Sequence, residues 1–410
     1  MRSDDSRTPT KTPIPREIWI LVVSALLIAL GFGLVAPVLP QYAQSFNVGV
    51  AAASAIVTVF AVTRLAFAPA TGPLMARFGE RWTYVAGLFV VALSSFGCAF
   101  AQGYWDLIIW RALGGLGSVT FTVASMGLMV RLAPPEARGR TSGLYGSAFL
   151  LGNICGPILG SLLAGFGFRV PFLIYGVMLL IATTFVAVFL RGAGGREAAD
   201  DVRPRVLLAD VVRDPIYRSL LVTGFANGWT NFGVRISLIP LMAAAVPTLG
   251  VAMSGMALTV YALANAIAQQ FTGRFVDAVG RRPVLMVGLT VSGLANLVFG
   301  WSTTPLFYLG LSAVAGLGAS MIMPAMQAQM ADLIGADRNG GSALSTYSMA
   351  GDLGSIGGTL LAGIIAELLG FGWAFLVTGA VLLLAIIPWL VLGRRSGGPN
   401  QPSQVGGVDR

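Results

Sequence analysis

Apolar runs long enough to cross a bilayer recur about a dozen times between Trp19 and Leu392. A hydrocarbon core about 30 Å thick needs roughly 20 mostly apolar residues per helix. A chain built from such runs is predicted to be an all-α integral membrane protein. Only 10% of its residues are charged, against about a quarter in soluble domains. The net charge of +9 is almost entirely arginine, because histidine is absent and Lys11 is the single lysine. These arginines fall between the apolar runs rather than on one face. That placement fits lipid headgroups and membrane orientation, and it argues against nucleic acid as a partner.

Several function classes drop out. No G-x-x-x-x-G-K-[ST] loop is present, which disfavours an ATP-driven pump. Without histidine, and with only isolated cysteines and carboxylates, neither a zinc hydrolase nor a histidine-dependent triad can be assembled. Cys98 and Cys155 lie inside apolar runs and read as small core residues. No enzyme activity, cofactor or metal site is expected. The first run is too long for the apolar part of a signal peptide and lacks a clean cleavage site, so it reads as a retained helix.

Twelve spans are predicted. The first six are 17–40, 50–74, 82–102, 104–131, 141–166 and 170–190. The second six are 216–245, 252–274, 283–301, 305–330, 342–368 and 372–392. This divides the chain into an N-terminal tail (1–16), a six-helix bundle (17–190), a charged linker (191–215), a second bundle (216–392) and a C-terminal tail (393–410). Both tails and the linker are expected to be cytoplasmic, and the tails disordered. Loops after the even-numbered spans carry Arg77, Arg81, Arg131, Arg138, Arg140, Arg274, Arg281, Arg282 and Arg338; alternate loops hold little beyond Arg169. The positive-inside bias therefore places both termini in the cytoplasm of an inner or plasma membrane protein.

The two bundles repeat one another with a period of about 200 residues. Gly33 and Pro40 correspond to Gly233 and Pro240, and Gly115-Leu116-Gly117 to Gly316-Leu317-Gly318. Gly79-Glu80-Arg81 corresponds to Gly280-Arg281-Arg282. Two halves of like orientation imply a pseudo-two-fold axis along the membrane normal, with a substrate site between the halves near the midplane.

These motifs make the chain resemble the twelve-helix, drug:proton antiporter-like branch of the major facilitator superfamily over nearly its whole length. The loop signature after the second span reads Gly72-Pro73-Leu74-Met75-Ala76-Arg77-Phe78-Gly79-Glu80-Arg81, and its echo runs Gly273-Arg274-Phe275-Val276-Asp277-Ala278-Val279-Gly280-Arg281-Arg282. Arg111 through Gly117 resembles the family's arginine-and-glycine element of the fourth helix. Gly152, Gly156, Pro157 and Gly160 resemble the fifth-helix signature that the family associates with antiporters; simple close packing of glycine-rich helices is the alternative. One departure stands out. Ala76 occupies the place of a customary aspartate, while Asp277 keeps the counterpart in the second half, so the usual device for stabilising one state must be weakened or replaced.

Ionisable side chains inside a bilayer cost at least about 2.5–3.5 kcal/mol on insertion scales and call for a partner or a role. Arg64 and Asp352 each lie about eleven residues, roughly 15–17 Å, from the predicted cytoplasmic ends of the second and eleventh spans. In the resembled fold these helices face each other, so the two residues are expected to pair when the cytoplasmic side is closed. Protonation of Asp352 would then weaken the clasp, unless Asp352 merely satisfies local groups near Gly351 and Ser355. The resemblance gives Arg111 a part in proton transfer or charge balance; otherwise it partners Asp106 or reaches a headgroup. Asn227, Trp229, Asn231 and Arg235 of the seventh span suggest a polar and aromatic lining suited to an anionic or amphipathic ligand. Phe32, Asn153, Tyr261 and Asn265 are further lining candidates.

The expected function is alternating-access, secondary active transport: proton-coupled efflux of small amphipathic or drug-like molecules by a monomer in the lipid bilayer. Uptake or facilitated diffusion of a sugar or organic acid is the alternative, and a transporter-like membrane sensor is the reading from outside transport. No acidic residue lies in the first span, which leans toward neutral or anionic cargo.

Overall fold

A computed structural model describes residues 15–132, 138–190, 208–250, 252–334 and 341–395. Most of both tails, most of the linker and Arg338 lie outside these residues; α15 carries helix through Arg395, into the expected C-terminal tail. Every regular element described is helical: α1 (Arg16–Val35), α2 (Leu39–Gln44), α3 (Val50–Ala99), α4 (Tyr104–Leu132), α5 (Arg138–Ala164), α6 (Arg169–Phe189), α7 (Leu208–Arg213), α8 (Pro215–Asn227), a π-helix (Gly228–Val234), α9 (Arg235–Ala245), α10 (Ala252–Val279), α11 (Arg281–Phe299), α12 (Pro305–Ile334), α13 (Gly341–Leu369), α14 (Phe371–Leu384) and α15 (Ile387–Arg395). Among the described residues, nine stretches are long and apolar enough to cross a membrane. One of them, α3, turns at Gly79 and holds both the second and third spans. The seventh span falls outside that number because the π-helix divides it, and α10 occupies the eighth.

Local chemistry sets the turns. The second and third spans meet at Gly79 (φ 77°, ψ 157°), and their repeat meets at Gly280 (φ 97°, ψ 157°). Only glycine adopts that region at little cost, so the same turn is built into both loop signatures. Asp214 starts α8: its Oδ1 accepts from Ile216 N at 2.7 Å, with Pro215 in the first helical turn. The first span, predicted to be continuous over 17–40, instead breaks after Val35 and resumes as α2. Pro37 and Pro40 withhold the backbone donors that a continuous helix would need there.

Between lipid-immersed helices the attraction comes from close packing more than from the hydrophobic effect, so small residues decide contact. On α5, a Cβ at Gly156 would stand 2.6 Å from Gly33 Cα of α1, and one at Gly160 would stand 2.1 Å from Leu34 O. The second half repeats the arrangement. A Cβ at Gly354 of α13 would stand 2.0 Å from Phe225 O, and one at Gly358 would stand 2.5 Å from Trp229 O. The α1–α5 contact thus recurs as α13 against α8 and the π-helix, and α4 against both parts of α3 recurs as α12 against α10 and α11. The duplication visible in sequence is a duplication of packing.

The two halves touch through α3 against α13, α5 against α10, and α2 against α9. Here the terminal face is the side on which α1 begins and α13 begins, and the opposite face is the side on which α3 begins and α13 ends. Cross-half hydrogen bonds cluster toward the opposite face. Gln41 Nε2 donates to Pro240 O at 3.0 Å, Ala51 N donates to Glu367 Oε2 at 2.7 Å, and Thr259 Oγ1 donates to Ile154 O at 3.1 Å. The buried hydroxyls of Thr58 and Thr359 also meet across the interface. One face of α3 carries Ser54 and Thr58 into this contact. The same face continues through Pro69, Gly72 and Ala76, all exposed, while Ser348 and Met349 of α13 are exposed at the matching depth. The halves are latched at the opposite face and parted at the terminal face.

Candidate functional site

Antiparallel register aligns the charges that the sequence singled out. Ala51 meets Glu367 and Thr58 meets Thr359; continuing that register toward the terminal face sets Arg64 level with residue 353, beside Asp352. The two residues are not in contact, however: Arg64 Nη1 donates to Ser118 Oγ of α4 at 2.6 Å. Ser118 escaped the sequence reading, since a serine among glycines on a membrane helix carries no signal of its own.

Arg111 is 7% exposed and lies with its guanidinium carbon 4.3 Å from the centre of the Phe60 ring, while Arg64 flanks the same ring at 6.0 Å. Asp106 does not hold Arg111; its Oδ2 accepts from Gln102 N at 3.1 Å. Phe60, one helical turn before Arg64, was also missed. Its repeat partner offers the signal that could have found it. A Cβ at Gly115 would face Phe60 O, and one at Gly316 would face Tyr261 O, so Phe60 and Tyr261 occupy equivalent positions. Each carries an arginine on its ring.

In the second half that arginine is Arg235, 5% exposed, with its guanidinium carbon 3.4 Å from the Tyr261 ring centre. Arg235 Nε donates to Asn231 Oδ1 at 3.2 Å, and Tyr261 OH donates to the same oxygen at 2.8 Å. Asn231 Nδ2 donates to Asn227 Oδ1 at 2.7 Å, and Asn227 Nδ2 ends the chain on Met323 Sδ at 3.7 Å. Arg235 Nη1 and Arg111 Nε are enclosed without any acceptor. An unmet buried donor costs about 1–3 kcal/mol, and more when charged. None of the three arginines makes an ion pair among the described residues.

The network sits on the π-helix, a geometry frequent at functional sites. Gly228 and Gly233 press there against Gly351 O and Ser355 O of α13. Asn265 is half-buried one turn beyond Tyr261 on the same face of α10, and Phe32 is half-buried on α1. Trp229 points elsewhere: its Nε1 donates to Thr378 Oγ1 of α14 at 3.2 Å. Asn153 is exposed on α5.

The loop signatures act as clips at the terminal face. Arg81 Nη2 donates to Ala187 O of α6, and its guanidinium stacks over Trp82 at 5.0 Å. Arg281 Nη1 donates to Ala328 O of α12 at 3.1 Å and is ion-paired with Asp332. Arg77 is exposed and stacks on Phe78 at 5.4 Å, and Gly72 is exposed beside it. The surroundings of Gly273 and the side chain of Asp277, both residues named from sequence, lie outside the described set.

A duplicated all-α membrane fold, closed on one face and parted on the other over buried charges, defines a multi-pass transport protein rather than an enzyme. A family model described as Major Facilitator Superfamily matches residues 21–246 and again 220–408. The chain belongs to the Major Facilitator Superfamily. It is 29% identical over 398 residues to a tetracycline resistance protein, class G, of Vibrio anguillarum, covering 90% of this chain and 96% of that one. It is 26% identical over 387 residues to a homologue of the multi-drug resistance efflux pump PmrA of Lactococcus lactis subsp. lactis, covering 91% and 93%. Among solved structures, the human organic anion transporter MFSD10 aligns with a TM-score of 0.67 at 18% identity, covering 92% of this chain and 100% of that one. A POT family transporter in complex with 5-aminolevulinic acid aligns at 0.80 and 11% identity, covering 94% and 97%. These structural likenesses bear on the fold.

Proposed function

We propose that this protein is a proton-coupled exporter of small amphipathic or drug-like molecules. It works by alternating access as a monomer in an inner or plasma membrane, with both termini cytoplasmic. Residues 17–190 and 216–392 are the two rocking bodies, and 191–215 is a cytoplasmic linker. Names of relatives, tetracycline resistance and multidrug efflux, support the direction. The observation that carries the reading is the one-sided latch. Cross-half hydrogen bonds close the face away from the termini, while the terminal face stands open over the level of Arg64 and Asp352.

In the coupling scheme, Asp352 is the member of the pair that can change charge. A carboxyl group ordinarily titrates near pH 4, whereas a guanidinium stays protonated in proteins. With the terminal face closed, Arg64 and ionised Asp352 clasp; protonation of Asp352 removes one charge and releases the clasp. With that face open, Arg64 turns to Ser118, as its 2.6 Å hydrogen bond supports. The clasp takes over part of the task that Ala76 leaves undone, with Arg81 and Arg281 holding each loop to its own bundle. Arg111, stacked on Phe60, balances charge as the proton moves.

Flux in sealed proteoliposomes under an imposed pH gradient tests this. Wild-type protein is expected to move amphipathic dyes against their gradient while dissipating the proton gradient. Asp352→Asn is expected to keep dye exchange and lose its dependence on the pH gradient. Dye movement that is indifferent to pH in the wild type, or full gradient-driven transport in Asp352→Asn, overturns the coupling scheme. A wild type that moves nothing overturns the transport reading and leaves a sensor.

A further inference from the structure

Resting on the transport reading above, we propose that Arg235, stacked on Tyr261 and propped by Asn231, docks the carboxylate of an amphipathic anionic cargo. The side chain does not escape to the membrane surface. Arg235 opens α9 ten residues from its end and is 5% exposed, so it stays inside the bundle. Its surroundings satisfy it only in part. Nε is spent on Asn231 Oδ1, and that oxygen already takes the Tyr261 hydroxyl. Asn231 passes its own donor to Asn227, and the chain ends on a thioether, the weakest acceptor in the group. Nη1 is left with no acceptor. A guanidinium offers five N–H donors in a planar fork that a carboxylate fills two at a time. Here Nε is engaged, one face lies on an aromatic ring, and Nη1 has no acceptor.

Charge counting points the same way. Arg64, Arg111 and Arg235 all lie in the membrane interior, and Asp352 lies at the level of Arg64 alone. None of the three is ion-paired among the described residues. Stacking on Phe60 and Tyr261 offsets part of the cost of burying two of these cations. It does not neutralise them. A cargo bringing one negative charge and an aromatic or aliphatic body fills the donor fork and lowers the charge excess, whereas a cationic cargo would add to it. Fatty acids and anionic lipid headgroups share that chemistry with a free cargo, so the test separates them.

The probes are dansylglycine and dansylglycinamide, which differ only in the carboxylate. Their fluorescence is read on the full chain in phosphatidylcholine nanodiscs. The wild type is expected to bind the acid at least about tenfold more tightly than the amide. Arg235→Gln is expected to erase that preference, Arg235→Lys to keep part of it, and Tyr261→Phe to keep most of it. Equal binding of acid and amide by the wild type, binding of neither, or an undiminished preference in Arg235→Gln overturns the assignment. Loss of acid binding on replacing phosphatidylcholine with phosphatidylglycerol would assign the site to lipid and overturn it as a cargo site. Failure here leaves the transport reading standing if proteoliposomes still move neutral dyes; failure of all flux removes the reading beneath it.

Discussion

Glu367 is the most economical place to perturb the balance between the two faces. Its carboxylate accepts from Ala51 N at 2.7 Å, at the N-terminus of α3, so one half of the molecule caps a helix of the other. Hydrogen bonds to charged groups contribute about 1.5–3 kcal/mol. Glu367 is exposed, and solvent screening reduces that to about 1 kcal/mol; a carboxylate at a helix N-terminus supplies a similar figure by the dipole argument. Because the bond exists only when the opposite face is closed, Glu367→Ala should shift the closed-to-open equilibrium by about fivefold. Glu367→Gln retains an acceptor oxygen and should shift it about twofold. Ser54, buried where a Cβ added to Gly363 of α13 would stand 2.9 Å from its own Cβ, is a reporter of that opening. In a Ser54→Cys background lacking Cys98 and Cys155, labelling by a membrane-impermeant maleimide from the opposite face should accelerate about fivefold in Glu367→Ala. Unchanged labelling, or a larger effect for Gln than for Ala, would refute the capping argument.

Three further outcomes follow from the packing. Gly79→Ala and Gly280→Ala should each lower stability by about 1–3 kcal/mol, because both sites hold positive φ; a Cβ at Gly79 meets nothing within 4 Å, so an unchanged thermal midpoint there would mean the turn is not held as described. Gly160→Ala and Gly354→Ala drive a methyl into the carbonyls of Leu34 and Phe225, which no rotamer can relieve, and both should reduce folded yield in detergent with an overpacking cost of about 1–3 kcal/mol. Thr58→Val paired with Thr359→Val should raise the same Ser54→Cys labelling rate. A double variant no faster than either single one would mean that the two hydroxyls do act on each other.

Span positions were legible because a bilayer imposes its thickness on every apolar run, and the repeat was legible because both halves need the same glycines at the same depth. Counting helical rise put Arg64 and Asp352 at one level, and the register of Ala51 with Glu367 and Thr58 with Thr359 sets the same level. Beside Ser118 and Phe60, three further features stayed hidden. The π-helix of 228–234 depends on the backbone of α13 pressing on Gly228 and Gly233, a contact that nothing in the local sequence announces. Glu367 carried no signal of its own, because its partner lies 316 residues away. Trp229 sat among the polar residues of its span but turns to Thr378, since the wider π turn changes which side chains share a face. The first span was expected to run unbroken over 17–40, and the break after Val35 went unread although Pro37 and Pro40 mark it.

Paired spin-label distances across the bundles test the central claim most directly. One pair joins Gln102→Cys to Thr304→Cys on the opposite face, where both positions are exposed, and a second joins Ala76→Cys to Met349→Cys on the terminal face. Alternating access predicts that conditions shortening the terminal-face distance lengthen the opposite-face distance in the same molecules, and that a change of pH or cargo drives the exchange. Two distances that stay fixed, or that lengthen together, would contradict it.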